Sequence, residues 1–377
     1  MRKYIVFVSK DHYNPLGIVR TLGEANISPV VVVVKSKPQL VTKSKYVKEK
    51  YIVNSPKEGI ELIISKFGNE QEKPFILTGD DVTVSILDEY YERLKDHFYF
   101  FNAGQSGRVR KFMNKDEICA LAAKHGFRIP KTWKVKRGEI PEDLEYPVFT
   151  KAVHSFGKEW KNIVFVCKNE NELKIAYSKM QSEEIIIQKY IEKIDEQGCE
   201  GFSVNRGQDV FFSVWNREAY HLPEQYAPVW YNSNPDNQEF IDKASSMIKE
   251  IGFEGIFEFE FMVGQDKQLY FLEINFRNTV NGWETTCAGM PGVTLWCESM
   301  LLNRIVDNCY RQIPEGFYTM AECFDYDVRV KGKKLTRRQW LKEYKNANAK
   351  LYLGRKDFRP FFSFMWYKLW HMRRSHK

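Results

Sequence analysis

The chain has 377 residues, 43% hydrophobic and 28% charged, which is the composition of a folded protein with room for two or three domains and excludes wholesale disorder. Its net charge of +8 is unevenly spread: residues 331–377 hold 15 Lys and Arg against 2 Asp and Glu, a net of +13, which leaves the first 330 residues at −5. Overall basicity is therefore no argument for a nucleic-acid partner.

The apolar run 4–8 is too short for a signal-peptide core and reads as a first buried strand. No stretch approaches the ~18 apolar residues that a spanning helix needs. The seven cysteines are widely spaced without a CxxC, as expected of free thiols in a reducing cytosol. The histidines show no zinc-site spacing.

In chain order, strands are expected at 4–8, 29–34 and 74–77, with helices at 16–23 and 82–95. Strand and helix in alternation imply a small parallel α/β sheet over about the first 100 residues. Thr78 and Asp80 close the third strand, where such sheets bind ligands; as turn and cap residues they have an equally simple reading. Asn114 starts a helix, with Glu117 spaced for a capping box. Residues 147–191 read as strand, glycine loop, strand, helix, strand. Lys151 ends the first of these strands, and Ser155, Gly157 and Lys158 follow in a loop able to cover phosphates. Two further strands, 202–205 and 210–214, and a helix over 239–251 lead to the most informative segment.

Residues 255–263 and 269–275 both alternate with period two and predict an antiparallel hairpin. A four-residue loop, 265–268, sets Glu260 opposite Glu273 and Glu258 opposite Asn275, all on one face. The other face carries Phe257, Phe259, Phe261, Tyr270, Leu272 and Ile274. Facing carboxylates repel and raise at least one pKa unless a cation intervenes. Hard oxygen donors of this kind suit Mg²⁺, which commonly combines one or two carboxylates with phosphate oxygens. The plainer reading is a wet face on an amphipathic hairpin. Arg277, two residues past Asn275, is placed to hold a phosphoryl oxygen.

The ordered set Asn114-Lys115, Pro147-Val-Phe-Thr-Lys151, Ile187-Gln-Lys-Tyr-Ile191 and Glu258-Phe-Glu260 with Leu272-Glu-Ile-Asn-Phe-Arg277 resembles the ATP-grasp ligases over roughly residues 1–305. Within that family the chain is most similar to the carboxylate–amine ligases that include D-aspartate ligases of peptidoglycan synthesis. That narrower likeness rests on residues 14–20, Thr78-Gly-Asp-Asp81, the paired Glu258 and Glu260, and residues 282–293. The resemblance implies an α/β ATP-grasp fold in four parts: a Rossmann-like domain (1–105), a small ATP-grasp subdomain (106–185), a metal and substrate subdomain (186–305) and a C-terminal extension (306–377) with a basic aromatic tail.

It also implies roles. Lys115 and Lys151 would contact ATP phosphates, and Ser155, Gly157 and Lys158 would cover them. Gln188, Lys189 and Ile191 would form the adenine hinge, and Glu200 would meet ribose or substrate. Glu260, Glu273 and Asn275 would hold Mg²⁺, with Mn²⁺ as a substitute, and Arg277 would stabilise the transferred phosphoryl group. Glu284 would hold the amine; a helix-cap or surface carboxylate is the bland alternative. Phe276 replaces the proline common in the family, Gln188 an acidic residue, and the loop is poor in glycine.

The expected function is a cytoplasmic, ADP-forming ligase that makes an amide through an acyl phosphate, acting on small-molecule carboxylates and amines, with a cell-envelope precursor as one substrate. A dipeptide ligase and a non-catalytic ATP-binding regulator are the alternatives. Seven of the thirteen residues 358–370 are aromatic and basic residues flank them. Two readings lead for this tail, peripheral contact with an anionic membrane or docking on the body, and single-strand nucleic-acid binding through stacking and charge is a distant third.

Overall fold

The computed structural model describes residues 2–36, 38–152, 164–222, 227–354 and 356–375. The first sheet comprises β1 (Tyr4–Val8), β2 (Val30–Val34), β3 (Glu49–Val53), β4 (Phe75–Thr78) and β5 (Tyr99–Phe100), all parallel in the order β3-β2-β1-β4-β5. β2 is five consecutive valines, and the first four are buried, as the interior of a parallel sheet with helices on both faces demands. β3 and the helix Pro56–Phe67, capped by Ser55, were not expected. The single helix expected over 82–95 is two, Asp81–Glu89 and Tyr91–Leu94.

The second sheet is antiparallel: β6 (Thr132–Lys136), β7 (Val148–Ala152), β8 (Phe165–Cys167) and β9 (Glu184–Lys189), in the order β6-β9-β7-β8. The third comprises β10 (Lys193–Val204), β11 (Asp209–Glu218), β12 (Val229–Ser233), β13 (Gly255–Gly264), β14 (Leu269–Asn275), β15 (Tyr318–Met320) and β16 (Ala349–Lys350), in the order β14-β13-β10-β11-β12-β15-β16. β10 and β11 run well beyond the expected short strands.

The first and third sheets share one core. Val6 and Leu16 belong to the same buried cluster as Phe257 and Phe259, and Trp296 joins them, its ring 5.6 Å from Phe75 and 4.8 Å from Phe101. The second sheet has a core of its own, built on Val148, Leu173, Ile185 and Ile187.

The C-terminal extension is tied into the body. Glu322, itself buried, accepts from the backbone N–H groups of Leu351, Tyr352 and Leu353. Buried Arg20, on the helix Tyr13–Glu24, donates to Asp357 and to the carbonyls of Leu351 and Tyr352. The last helix, Arg359–Ser375, docks one face: Phe361, Phe364 and Met365 pack on the shared core and Phe364 stacks on Tyr352 at 4.6 Å. Its other face is exposed, with Trp366 75% and Phe362 64% accessible. Among the described residues no helix is long and apolar enough to cross a membrane.

Candidate active site

β13 and β14 pair Glu258 with Asn275 and Glu260 with Glu273, as the alternation predicts. The turn differs. Val263 pairs with Leu269, so the loop has five residues, Gly264 to Gln268, and a bulge beyond Glu260 restores the register at the carboxylates. The bulge turns Phe271 into the core and leaves Leu272, expected in that core, on the wall of a cavity.

That cavity, about 190 Å³, lies between the start of the helix Tyr13–Glu24 and the third sheet. Glu258, Glu260, Asn275 and Arg277 line it, Tyr13 and Asn14 reach it from the first helix, and Asn281 and Asn216 close it. Gly198 of β10 forms part of the floor; a Cβ there would lie 3.0 Å from Glu258 Oε1 and 3.1 Å from Asn216 Nδ2.

The electrostatics follow from burial. Glu260 is pushed well above the usual carboxylate range by desolvation, then by the charges of Glu258 and Glu273. Burial also raises Glu258, against which Arg277 and the side chains of Asn216, Thr279 and Asn281 pull downward. Asn275 Nδ2 donates to both Glu258 and Glu260, and Arg277 Nη2 donates to Asn275 Oδ1 at 2.8 Å. Arg277 Nε donates to Asp81 at 2.6 Å. His12, next to these charges, is lowered to about 4 by burial and by Arg277, so it is neutral at physiological pH. Nothing in the spacing of the histidines pointed to it.

A divalent cation fits this donor set. Glu260 carries a pKa raised by burial and by its carboxylate neighbours, Glu273 faces it, and the Asn275 amide oxygen accepts from Arg277 beside it. Among the described residues no three His, Cys, Asp or Glu side chains gather closely enough to hold a metal unaided. The set therefore suits Mg²⁺ completed by phosphate oxygens.

The remaining expected residues are placed as follows. Lys115 opens the helix Lys115–Lys124 and reaches Glu273 Oε2 at 3.1 Å, at the edge of the carboxylate pair. Asn114 caps this helix, but its own N–H goes to Lys111 and Glu117 pairs with Lys111, so no capping box forms. Lys151 occupies β7, opposite Ile186; its side chain, with Ser155, Gly157 and Lys158, lies outside the described residues. Gln188 and Lys189 end β9; Gln188 donates to Thr132 Oγ1 at 2.9 Å, which leaves its amide oxygen as an acceptor, and Lys189 pairs with Glu145. Ile191 follows before β10 and packs near Gly264. Asp80 is a cap: it accepts from Thr83 N–H and ties the backbone of Ser9.

Glu200 lies behind Glu258, buried, accepting from Thr279 Oγ1 at 2.8 Å, and does not open on the cavity. Glu284 is neither a surface carboxylate nor a cap. It is buried in the helix Asn281–Cys287 beside Asn232 and Thr319, its oxygens close no hydrogen bond of good geometry, and burial pushes it up to about 8. Sequence reasoning missed what links it to the cavity. Asn275, Glu258, Asn216 and Asn232 form a buried polar row across four strands, since Asn216 donates to Glu258 and pairs with Asn232. Asn232 in turn donates to Thr319 Oγ1 at 2.9 Å. Trp283 and Thr286 face a second cavity, against Arg20, Asn348, Lys350, Gly354 and Asp357.

Residues 114–295 match the family model for the ATP-binding domain of the carbamoyl-phosphate synthase L chain. The span covers the second sheet and the hairpin with its carboxylates. The chain has the ATP-grasp fold. Solved ATP-grasp structures extend the likeness across most of it. N5-carboxyaminoimidazole synthetase from Staphylococcus aureus superposes with a TM-score of 0.64 at 14% identity, covering 89% of this chain and 88% of that one. Biotin carboxylase from Campylobacter jejuni, solved with an ATP analogue, gives 0.61 at 17% identity over 81% of this chain and 72% of its own. L-amino acid ligase from Bacillus licheniformis gives 0.57 at 13% identity, over 80% and 74%. No curated protein sequence matches significantly. At these identities the likeness concerns the ATP-grasp architecture, and the chemistry has to be argued from the side chains.

Proposed function

We propose that this protein is an ATP-dependent, ADP-forming ligase that joins a carboxylate to an amine. The observation that carries the reading is the facing pair Glu260 and Glu273 on β13 and β14, with Asn275 on the same face and Arg277 just past the strand end. A carboxylate is a poor electrophile. Transfer of the γ-phosphoryl group of ATP makes an acyl phosphate; the amine attacks it, the C–N bond forms and phosphate leaves. When bound, Mg²⁺ supplies positive charge at the transferring phosphoryl group. Glu260, Glu273 and Asn275 hold it. Arg277 neutralises the phosphoryl oxygens, and Lys115 and Lys151, with Ser155, Gly157 and Lys158, hold the phosphate chain. The Gln188 amide oxygen accepts from the adenine amino group, beside Lys189 and Ile191.

Glu284, at the end of the polar row, is the acid that recognises the amine. A cation arriving there supplies the partner its buried oxygens lack. An amino acid joined to a cell-envelope precursor, as in the D-aspartate ligases, fits the likeness of residues 282–293; the L-amino acid ligase among the similar structures favours a dipeptide product as the second reading. A regulator without turnover is less well supported. Phe276, the main departure, is buried against Phe253 at 4.9 Å and displaces no proposed ligand. The reading places the enzyme in the cytoplasm.

The test is ADP release from ATP and Mg²⁺ over a panel of amino acids. Release that requires an amino acid is expected; nucleotide binding without amino-acid-dependent release refutes the ligase.

A further inference from the structure

We propose that the exposed face of the C-terminal helix is a docking surface for an anionic membrane. The inference goes beyond the ligase reading and does not depend on it. The helix Arg359–Ser375 has two apolar faces, where a surface helix ordinarily has one. The first, Phe361, Phe364 and Met365, is spent on the body. Ser363 Oγ donates to the Gln39 carbonyl at 3.2 Å and Lys368 pairs with Asp327, so the helix is fixed in orientation.

The second face is a stripe of Phe362, Trp366 and Leu369, spaced i, i+4, i+7, with Phe358 before it and Trp370 beside it, and all five are exposed. Scattered surface apolar residues need no explanation; a stripe with two tryptophans does. At 17 residues the helix is about 25 Å long, and its contacts with the body run from Phe361 to Lys368 along one side. That is the geometry of a helix in the plane of a membrane interface, where indole rings favour the headgroup level.

Charge decides between a lipid surface and a second copy of the chain. Residues 331–377 carry a net of +13. Arg359 opens the helix and is exposed, as are Lys333, Lys334, Arg337 and Arg338 in the neighbouring segment. That segment is held beside the helix through Asp327, which pairs with both Lys331 and Lys368. Two copies meeting stripe to stripe would bring two such tails together. An anionic bilayer offers the opposite sign.

Truncating the tail is a poor probe, because removal beyond Lys350 also takes Leu351–Leu353 from Glu322 and Asp357 from Arg20. The experiment is flotation of the full chain with vesicles of phosphatidylcholine alone or mixed with phosphatidylglycerol, without nucleotide. Binding to the mixed vesicles that weakens with added salt is expected, with little to the neutral ones. Phe362→Ser with Trp366→Ser should lose roughly tenfold or more in partitioning. Lys333→Gln with Lys334→Gln should lose about fivefold per charge. Unchanged melting temperatures certify the fold of each variant. No binding to the mixed vesicles, equal binding to neutral ones, or wild-type binding by Phe362→Ser with Trp366→Ser overturns the proposal. So does a stripe-dependent dimer that ignores vesicles.

Discussion

Arg277 holds Asp81 through Nε at 2.6 Å, so a cation lining the carboxylate cavity is positioned by the helix Asp81–Glu89 that follows β4. Replacing Asp81 with Asn frees the guanidinium without removing it. We expect ADP release to fall by about tenfold, against ~10²-fold or more for Arg277→Lys, which lacks the planar fork. Stability should change by less than about 1 kcal/mol, because Asp81 is half exposed. Wild-type turnover by Asp81→Asn would show that the contact does not serve the chemistry.

Glu260→Gln and Asn275→Ala should each abolish ADP formation while the protein stays folded. Glu260→Gln should be at least as stable as the wild type without metal, since the amide removes a buried charge that burial and two neighbouring carboxylates already oppose. Near-normal ADP formation by either purified variant removes the metal assignment.

Glu284 gives a pH signature. Its folded pKa, about 8, lies well above the ordinary glutamate value of 4.5, so the folded state holds the proton more tightly than the unfolded one. The stabilisation is complete below about 4.5 and is lost as pH rises toward 8, on the order of 5 kcal/mol across that window. Glu284→Gln lacks this slope. Urea unfolding at pH 5 and pH 8.5 should show the wild type losing stability relative to the variant; parallel behaviour would exclude a buried, proton-holding Glu284.

Asp357→Ala leaves Arg20 buried without its carboxylate. We expect a loss of roughly 3–5 kcal/mol in chemical denaturation. A loss below about 1 kcal/mol would mean that the carbonyls of Leu351 and Tyr352 satisfy Arg20 alone.

The hairpin was legible because period-two alternation specifies a face even when the loop is misjudged: Glu260 still meets Glu273, and the bulge absorbs the extra residue. β3 was not legible, since Glu49 and Lys50 open a strand that is buried chiefly at Val53. The polar row was hidden for a different reason. Asn216, Asn232 and Thr319 come from three strands whose adjacency is a tertiary fact, and each alone is an ordinary polar residue. Membrane and body were the two leading readings of the tail, and the helix divides its aromatics: Phe361 and Phe364 belong to the body, while Phe362 and Trp366 face outward.

The separate core of the second sheet has a mechanical consequence. The first and third sheets are welded by a continuous apolar cluster and riveted again where Arg20 grips the C-terminal extension, so they form one jaw. The second sheet, with its separate core, is the other jaw. On the ligase reading, substrate entry and product escape would fall to movement of the β6–β9 jaw, with the carboxylates and Arg277 held by the other.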